Sequence, residues 1–241
     1  MKDIRVVILA GGKGTRLKPY TTVFPKPLMP IGDMPILEVV LRQLKLYGFE
    51  KITLSVNHLA ELIQTFFGDG SKLGLEISYC MEDEPLGTAG SISQVSNITD
   101  TFLVMNGDLL TTLDYSAIVQ SHIDSGSVAT IGVFPREVKI DFGVLELGSK
   151  DELVAYKEKP RFEYIVSMGV NVFDKSVLEF IQKGQYLDIP TLMMNLKDAG
   201  KKVMTFRGEC EWLDIGRPDD YEQAVTEFER SREKYLKNNH K

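Results

Sequence analysis

Cysteine is scarce: the chain has 241 residues and two cysteines, Cys80 and Cys210, far apart and in no C-x-x-C pair. That excludes a zinc-ribbon or thioredoxin-like framework. Spacing leaves a disulfide open, with buried free thiols the expected state. Histidine is equally rare, and His58, His122 and His240 share no spacing that would join them in a metal or catalytic pair. They are expected to be structural or surface residues. The single tryptophan, Trp212, is expected to fill the core. No apolar run is long enough to span a membrane, and the N-terminal stretch 4–10 stops at glycines rather than at a signal-cleavage pattern. There is no Gly/Ser or Pro-rich linker and no fixed-period repeat, in particular no hexapeptide array of the β-helix kind. Positive charge is not in excess either: 28 Lys and Arg against 34 Asp and Glu leave a formal charge of −6. That balance argues against a general nucleic-acid binder. A cytoplasmic protein with no nucleic-acid or membrane partner is the expectation.

What is present is ordinary globular material, 43% hydrophobic and 26% charged. A chain of this size buries roughly 70–75% of its unfolded surface and needs no staple. Its first half alternates in a legible way. Residues 4–10 form a near-continuous apolar run suited to a strand buried on both faces. Leu37, Val40, Leu41 and Leu44 then mark a helix face. Residues 52–56 read as a strand, Leu59, Leu62, Ile63 and Phe66 as a second helix face, 75–80 as a strand, 88–95 as a helix and 102–105 as a short buried strand. Such alternation implies βαβ crossovers and a mostly parallel sheet. Further on, 128–134, 143–147 and 166–173 read as strands, and 175–182 and 189–199 as helical. Pro218 opens a last helix with Asp219 and Asp220 in its first turn and Tyr221, Ala224, Val225 and Phe228 on its apolar face. Beyond Glu229 a charged, frayed tail is expected.

Chemistry is concentrated in a few short segments. Leu9-Ala10-Gly11-Gly12-Lys13-Gly14-Thr15-Arg16-Leu17 follows the first strand, and its glycines let backbone N–H groups approach a polyphosphate. It is neither of two common phosphate loops. The dinucleotide fingerprint needs glycine where Leu17 stands, and the Walker motif needs Ser or Thr where Gly14 stands. Lys26 lies between Pro25 and Pro27, a restricted mount suited to a cation aimed at a fixed anion. Asn106-Gly107-Asp108 follows a buried strand, so Asp108 projects into the crevice where open α/β sheets bind ligands. Thr88 is a good helix N-cap within Glu84-Pro85-Leu86-Gly87-Thr88-Ala89-Gly90. The acidic run Glu82, Asp83, Glu84 reads more readily as solvated surface, although carboxylates there could accept from guanine's N1–H and N2–H₂. Asn171, inside an apolar strand, needs a partner.

Six segments in order, LAGGKGTRL, FPKP, EPLGTAG, NGD, EKP and WLDIG, run from position 9 to position 216. Together they resemble the sugar-1-phosphate nucleotidylyltransferases, or NDP-sugar pyrophosphorylases. The resemblance implies a Rossmann-like three-layer α/β/α fold with a mixed, mostly parallel central sheet and a small sugar-binding lobe. It implies a nucleotidyltransferase domain over 1–228, its nucleotide-binding part about 1–110 and its sugar-phosphate-binding part about 111–216, with 229–241 as the charged tail. The implied substrates are an NTP and a sugar 1-phosphate, the cofactor Mg²⁺, and the products an NDP-sugar and pyrophosphate. Arg16 and Lys26 are the implied catalytic cations. Leu9, Ala10, Gly11, Gly12, Gly14, Thr15, Pro85, Gly87 and Thr88 would bind nucleotide, and Gly143, Glu158, Lys159 and Asn171 the sugar phosphate. Asp108 and Asp214 would hold the metal. EPLGTAG and WLDIGRPDDY look most like guanylyltransferases for mannose-type 1-phosphates. UTP, dTTP or CTP with another sugar or phosphorylated alcohol is the alternative, and a non-catalytic nucleotide-sugar-binding relative the alternative of another class. A homo-oligomer is left open.

Overall fold

The computed structural model describes residues 1–12, 14–82 and 84–236. Its first half runs β1 (Arg5–Leu9), a small hairpin of β2 (Pro30–Ile31) and β3 (Met34–Pro35), α1 (Ile36–Leu46), β4 (Lys51–Val56), α2 (Ala60–Phe67), β5 (Glu76–Met81), α3 (Gly87–Gly90) and β6 (Thr101–Asn106). The second half runs β7 (Leu109–Thr111), α4 (Tyr115–Ser125), β8 (Ala129–Lys139), β9 (Val144–Leu147), β10 (Leu153–Lys157), β11 (Arg161–Asp174), α5 (Ile189–Asp198), β12 (Val203–Phe206), β13 (Trp212–Asp214) and α6 (Pro218–Tyr235). Seven strands form one sheet in the order β12-β8-β11-β6-β1-β4-β5. Neighbours are parallel except where β11 is involved, so the sheet is mixed and mostly parallel.

Strand alternation divides the core into two layers of packing. Val6 and Ile8 of β1 face α1, α2 and α4 through Leu37, Leu41, Ile63 and Ile118. Val7 faces the other way, with Ala89 of α3 and Leu192 and Leu196 of α5. Each such fully buried aliphatic side chain contributes about 1.5–3 kcal/mol, which is why both faces of β1 read as apolar. A third cluster ties Leu17, Ile31, Leu110 and Ile215 to Ala224 and Phe228 of α6. Beyond the sheet, β8 and β11 continue as a two-stranded ribbon, Arg161 opposite Lys139 through Ser167 opposite Val133. The β9–β10 hairpin stands beside it as a separate two-stranded sheet.

Several elements differ from the sequence reading. On α2 the buried stripe is Ala60, Ile63 and Phe67, while Leu62 and Phe66 are exposed. The helix starts after Leu59 in a left-handed conformation, and a stripe containing the small Ala60 lies closest to the sheet. The helix expected over 88–95 is one α-turn followed by a 3₁₀ turn, Ser91–Gln94. The segment expected to be helical over 175–182 is a 3₁₀ helix, Lys175–Phe180. Helix α4 was legible but not read: Asp114 caps it by accepting from the Ser116 and Ala117 N–H groups, and Tyr115, Ile118, Val119 and His122 make its buried face. His122 is structural, with Nδ1 2.9 Å from the Thr130 hydroxyl. Cys80 and Cys210 are free thiols, both pushed up in pKa by burial. Among the described residues no helix is long and apolar enough to cross a membrane.

The last helix does not fray at Glu229. It kinks at Ser231 and continues to Tyr235, whose side chain is buried. The Tyr235 hydroxyl donates to Glu211 at 3.0 Å, and its carbonyl accepts from the buried Gln43 amide at 3.1 Å. Residues 237–241, with His240, lie outside the described residues. Tyr235→Ala is therefore expected to cost about 3–5 kcal/mol in chemical denaturation, as for a large aromatic truncated in a core. A loss under 1 kcal/mol would show that this end of α6 is not part of the core.

Candidate active site

The strand order reverses between β1 and β6. From β1 the chain goes first to β4 and β5 on one side, then to β6 on the other, so the two C-terminal ends diverge above a crevice. Leu9 lies beside Asn106 there, and the Gly107 N–H donates to the Leu9 carbonyl at 3.0 Å. A side chain on Gly107 would press on Ile8 and Leu9, so this close approach favours glycine. It sends Asp108 over the end of β1. A cavity of about 550 Å³ opens at this point.

Its walls come from three segments. Leu9, Ala10, Gly11 and Gly12 form one wall, Pro85, Gly87 and Thr88 another, and Lys26 and Asp108 a third. Gly14, in a left-handed conformation at φ 58°, turns the glycine loop away, and the Thr21 hydroxyl donates to its carbonyl at 2.7 Å. Gly14, Thr15 and Arg16 do not line the cavity. Lys13 lies outside the described residues. Lys26 begins a 3₁₀ turn, Lys26–Leu28, after the extended Pro25. Its ammonium pairs with Asp108 Oδ2, both side chains largely buried.

Asp214 approaches from the far end of the chain. In the β13–β7 antiparallel pair it stands opposite Leu109, the residue after Asp108. The Ile215 N–H reaches the Asp108 carbonyl at 3.4 Å, closing the two ends together. Burial raises the Asp214 carboxyl above its ordinary pKa, and the neighbouring Asp108 adds to this, while Lys26 and Arg16 oppose it. The Arg16 guanidinium lies against Gly216, which leaves no side chain in its way. Trp212 braces the strand by donating to the Met168 carbonyl at 3.1 Å and stacking near Phe134. Two facing carboxylates, with no imidazole or thiolate among them, are the donor set of a hard, oxygen-loving cation. Among the described residues no third His, Cys, Asp or Glu completes a cluster. Water and phosphate oxygens would have to supply the remaining ligands, as magnesium prefers.

The capping role expected of Thr88 is different. It sits inside α3, whose N-cap position is Leu86. The Thr88 hydroxyl accepts from the Ile189 N–H at 2.8 Å, the first residue of α5. Its own N–H donates to Asp188 at 3.2 Å, so two helix starts are satisfied reciprocally. The acidic run is also divided. Glu84 is exposed and Asp83 lies outside the described residues, but Glu82 lines the cavity. Its Oε1 accepts from the Ser55 hydroxyl at 2.6 Å and its Oε2 from the Leu86 N–H at 3.4 Å. Asn57, whose amide donates to the Glu82 carbonyl at 2.7 Å, lines the same wall. Asn57 and Ser91 were not singled out in the sequence, and Asn106 stood there only as the first residue of Asn106-Gly107-Asp108, without a role of its own. Asn57 and Ser91 carry no motif and are gathered here only by the fold.

The expected sugar-phosphate residues lie outside the cavity wall. Gly143 and Glu158 meet through Tyr156, whose ring covers Gly143 and whose hydroxyl donates to Glu158 Oε2 at 3.1 Å. Lys159 is exposed beside Glu158, its backbone left-handed at φ 45°. Asn171 is instead buried in the sheet, opposite Val104.

A glycine loop at a switch point, a paired lysine and two facing carboxylates thus meet at one crevice. The sequence profile of the nucleotidyl transferase family matches residues 5–231. The chain belongs to that family. It is 34% identical to a UTP–glucose-1-phosphate uridylyltransferase of Synechocystis over 92% of this chain and 62% of that one. It is 32% identical to a mannose-1-phosphate guanylyltransferase of Mycobacterium tuberculosis over 95% and 65%. The chain thus spans less than two thirds of the length of these relatives. It also matches a D-glycero-α-D-manno-heptose 1-phosphate guanylyltransferase of Aneurinibacillus thermoaerophilus, 29% identical over 94% of this chain and 99% of that one. Among solved structures, HddC of Yersinia pseudotuberculosis complexed with GMP-PN superimposes with a TM-score of 0.72 at 28% identity, covering 93% and 99% of the two chains.

Proposed function

We propose that this protein is a Mg²⁺-dependent nucleotidylyltransferase that condenses GTP with a mannose-type hexose or heptose 1-phosphate, releasing pyrophosphate. The observation that carries the reaction class is the Lys26–Asp108 pair beside Asp214 at the mouth of the glycine-loop cavity. An oxygen of the sugar 1-phosphate attacks the α-phosphorus of the NTP, the bond to the β-phosphate oxygen breaks, and pyrophosphate leaves in line. The protein's work is to hold two repelling anions together and to neutralise the charge that grows. Glycine-loop N–H groups bind the triphosphate, with Gly14 and Thr15 completing the turn. Asp108 and Asp214 would hold the divalent cation, which supplies electrostatic neutralisation of the phosphates. With Asp108 so engaged, Lys26 is released toward the reacting phosphates, and Arg16 approaches them past Gly216. Gly143, Glu158, Lys159 and Asn171 would serve the sugar phosphate, Lys159 as cation and Glu158 as hydroxyl acceptor.

Glu82 supports guanine. Each carboxylate oxygen accepts one hydrogen bond from the protein and keeps a second lone pair for a ligand. Guanine presents two adjacent donors, N1–H and N2–H₂, to such a group, whereas uracil flanks its one N–H with two carbonyls. The names of the relatives support a sugar 1-phosphate as acceptor and include both guanylyl and uridylyl transfer, so UTP with a glucose-type 1-phosphate is the second reading. Pyrophosphate release over four NTPs and a panel of sugar 1-phosphates tests both. GTP with a mannose-type partner is expected to lead. Glu82→Gln should then lower kcat/KM for GTP about 10- to 100-fold, the range for a hydrogen bond to a charged group, without a loss for UTP. A wild-type preference for UTP would remove the guanine part. No release with any pair, Mg²⁺ present, would remove the activity itself.

A further inference from the structure

Asp108 and Asp214 stand at one end of a very small sheet. Strand β7 starts directly after Asp108, β13 ends at Asp214, and the two strands form a sheet of their own with three residue pairs. A two-stranded pair is marginal at best by itself. The carboxylates at its open end also repel one another. What holds this pair in place must come from outside it.

The far end of the pair is tied into a closed ring of hydrogen bonds. Glu211, the residue before β13, accepts at its carbonyl from the Thr111 hydroxyl at 2.6 Å and from the Thr112 N–H at 3.0 Å. The Thr111 carbonyl accepts from the Gln43 amide of α1 at 2.7 Å, and the same amide donates to the Tyr235 carbonyl at 3.1 Å. Tyr235 closes the ring, its hydroxyl donating to Glu211 Oε2 at 3.0 Å. Gln43, Thr111 and Tyr235 are all buried, and the buried Tyr115 hydroxyl of α4 donates to Gln43 Oε1 at 3.4 Å. A satisfied polar network in the interior fixes one arrangement where apolar packing alone would tolerate several. Lys234 reaches the other Glu211 oxygen at 2.5 Å, but both side chains of that pair are substantially exposed, and such an ion pair contributes little. The buried hydroxyl is the arm that fixes Glu211.

We infer that Tyr235 is a positioning residue for catalysis, its hydroxyl acting through Glu211 to set where β13 presents Asp214 to Asp108. The inference rests on the nucleotidylyltransferase reading and extends it to the last turn of α6, which touches neither the cavity wall nor the two aspartates. Glu211 stands three positions before Asp214, roughly 10 Å along an extended strand. A short strand released at one end shifts at the other. Magnesium demands near-ideal octahedral geometry, so a small displacement of Asp214 is felt in metal affinity before it is felt in the fold. Trp212, the chain's single tryptophan, lies between Glu211 and Asp214, so its emission reports on β13.

The test compares wild type, Tyr235→Phe, Glu211→Ala and the double variant. Phe67→Ala, a core truncation at the end of α2 beside the edge strand β5, serves as a control for general destabilisation. Mn²⁺ binding is measured by electron paramagnetic resonance on chain saturated with GDP-mannose, which supplies phosphate oxygens and does not turn over without pyrophosphate. Acrylamide quenching of Trp212 is measured without ligands, and the Mg²⁺ concentration giving half-maximal rate with GTP and mannose 1-phosphate saturating. Tyr235→Phe and Glu211→Ala are each expected to weaken Mn²⁺ and to raise half-saturating Mg²⁺ about 10-fold, the lower end for groups that orient metal ligands. KM for GTP at saturating Mg²⁺ should stay within about twofold, because neither side chain meets the nucleotide. Trp212 should become more accessible to acrylamide in both. The double variant should match Glu211→Ala, since the hydroxyl acts through that carboxylate. Phe67→Ala should lower Tm and leave all three readouts as in wild type. Unchanged Mn²⁺ affinity in Tyr235→Phe, or an equal loss in Phe67→Ala, would make Tyr235 a core residue alone and overturn the inference. Additive losses in the double variant, or a loss confined to KM for GTP, would also overturn it. Absence of Mn²⁺ binding and of Mg²⁺-dependent release in the wild type would overturn the functional reading, and this inference with it.

Discussion

Lys26→Ala is expected to lower kcat about 10²–10³-fold at saturating substrates, while KM for NTP and sugar phosphate changes little. The ammonium is held at the cavity wall, its side chain 11% exposed, with Asp108 as its only ion-pair partner among the described residues. A cation so placed meets charge that grows as the α-phosphate is attacked and pyrophosphate departs. Stabilisation present only in the transition state appears in kcat, whereas uniform binding appears in KM. Lys26→Arg should not restore the rate, because a planar fork does not fit where a compact ammonium on a proline-bounded turn fits. Arg16→Ala should cost less than Lys26→Ala, since Arg16 is exposed and lies outside the cavity wall. Recovery of full kcat by the Lys26→Ala variant at saturating substrates would reduce Lys26 to a substrate-gathering charge.

Asp108→Asn and Asp214→Asn are each expected to lower kcat by at least about 10²-fold at saturating Mg²⁺, the scale of losing several kcal/mol of electrostatic stabilisation. Their effects on stability should be different in kind. Asp214 is a half-buried carboxylate facing another one, so its charge opposes folding locally. Asp214→Asn removes that charge and keeps the shape, and its Tm is expected to be unchanged or raised. Asp108→Asn also removes the partner of Lys26 and leaves a largely buried ammonium unpaired, so a lowered Tm is expected there. Full activity of either variant, or of wild type in excess EDTA, would eliminate the two-carboxylate metal site.

Local pattern carried much of the first half of the fold. Residues 4–10 read as a doubly buried strand because both faces of β1 are covered by helices, and Leu37, Val40, Leu41 and Leu44 read as a helix face because that stripe is the one α1 buries. Helix α4 was equally readable, from Asp114 and the spacing of Tyr115, Ile118, Val119 and His122, and its absence from the reading is a missed cap rather than a missing signal. Strands β7 and β13 are three residues each and β12 four. Elements so short hold no period, and only their partners make them strands. The end of α6 failed for another reason. Its polar composition masked one buried tyrosine whose partners, Gln43 and Glu211, come from remote parts of the chain.

By itself the sequence determined the alternating α/β architecture, the glycine loop that is neither of two familiar phosphate loops, and the lysine held between two prolines. These are local properties: backbone freedom, backbone restriction and hydrophobic period act within a few residues. The tertiary structure alone decided that Asp214 stands beside Asp108, because a three-residue antiparallel pairing joins segments far apart in the chain. It also decided that Glu82 faces the cavity while Glu84 faces solvent, since Ser55 on the neighbouring strand and the Leu86 N–H hold one carboxylate and not the other. Electrostatic and hydrogen-bonding environments are sums over neighbours in space, and neighbours in space are what strand order decides.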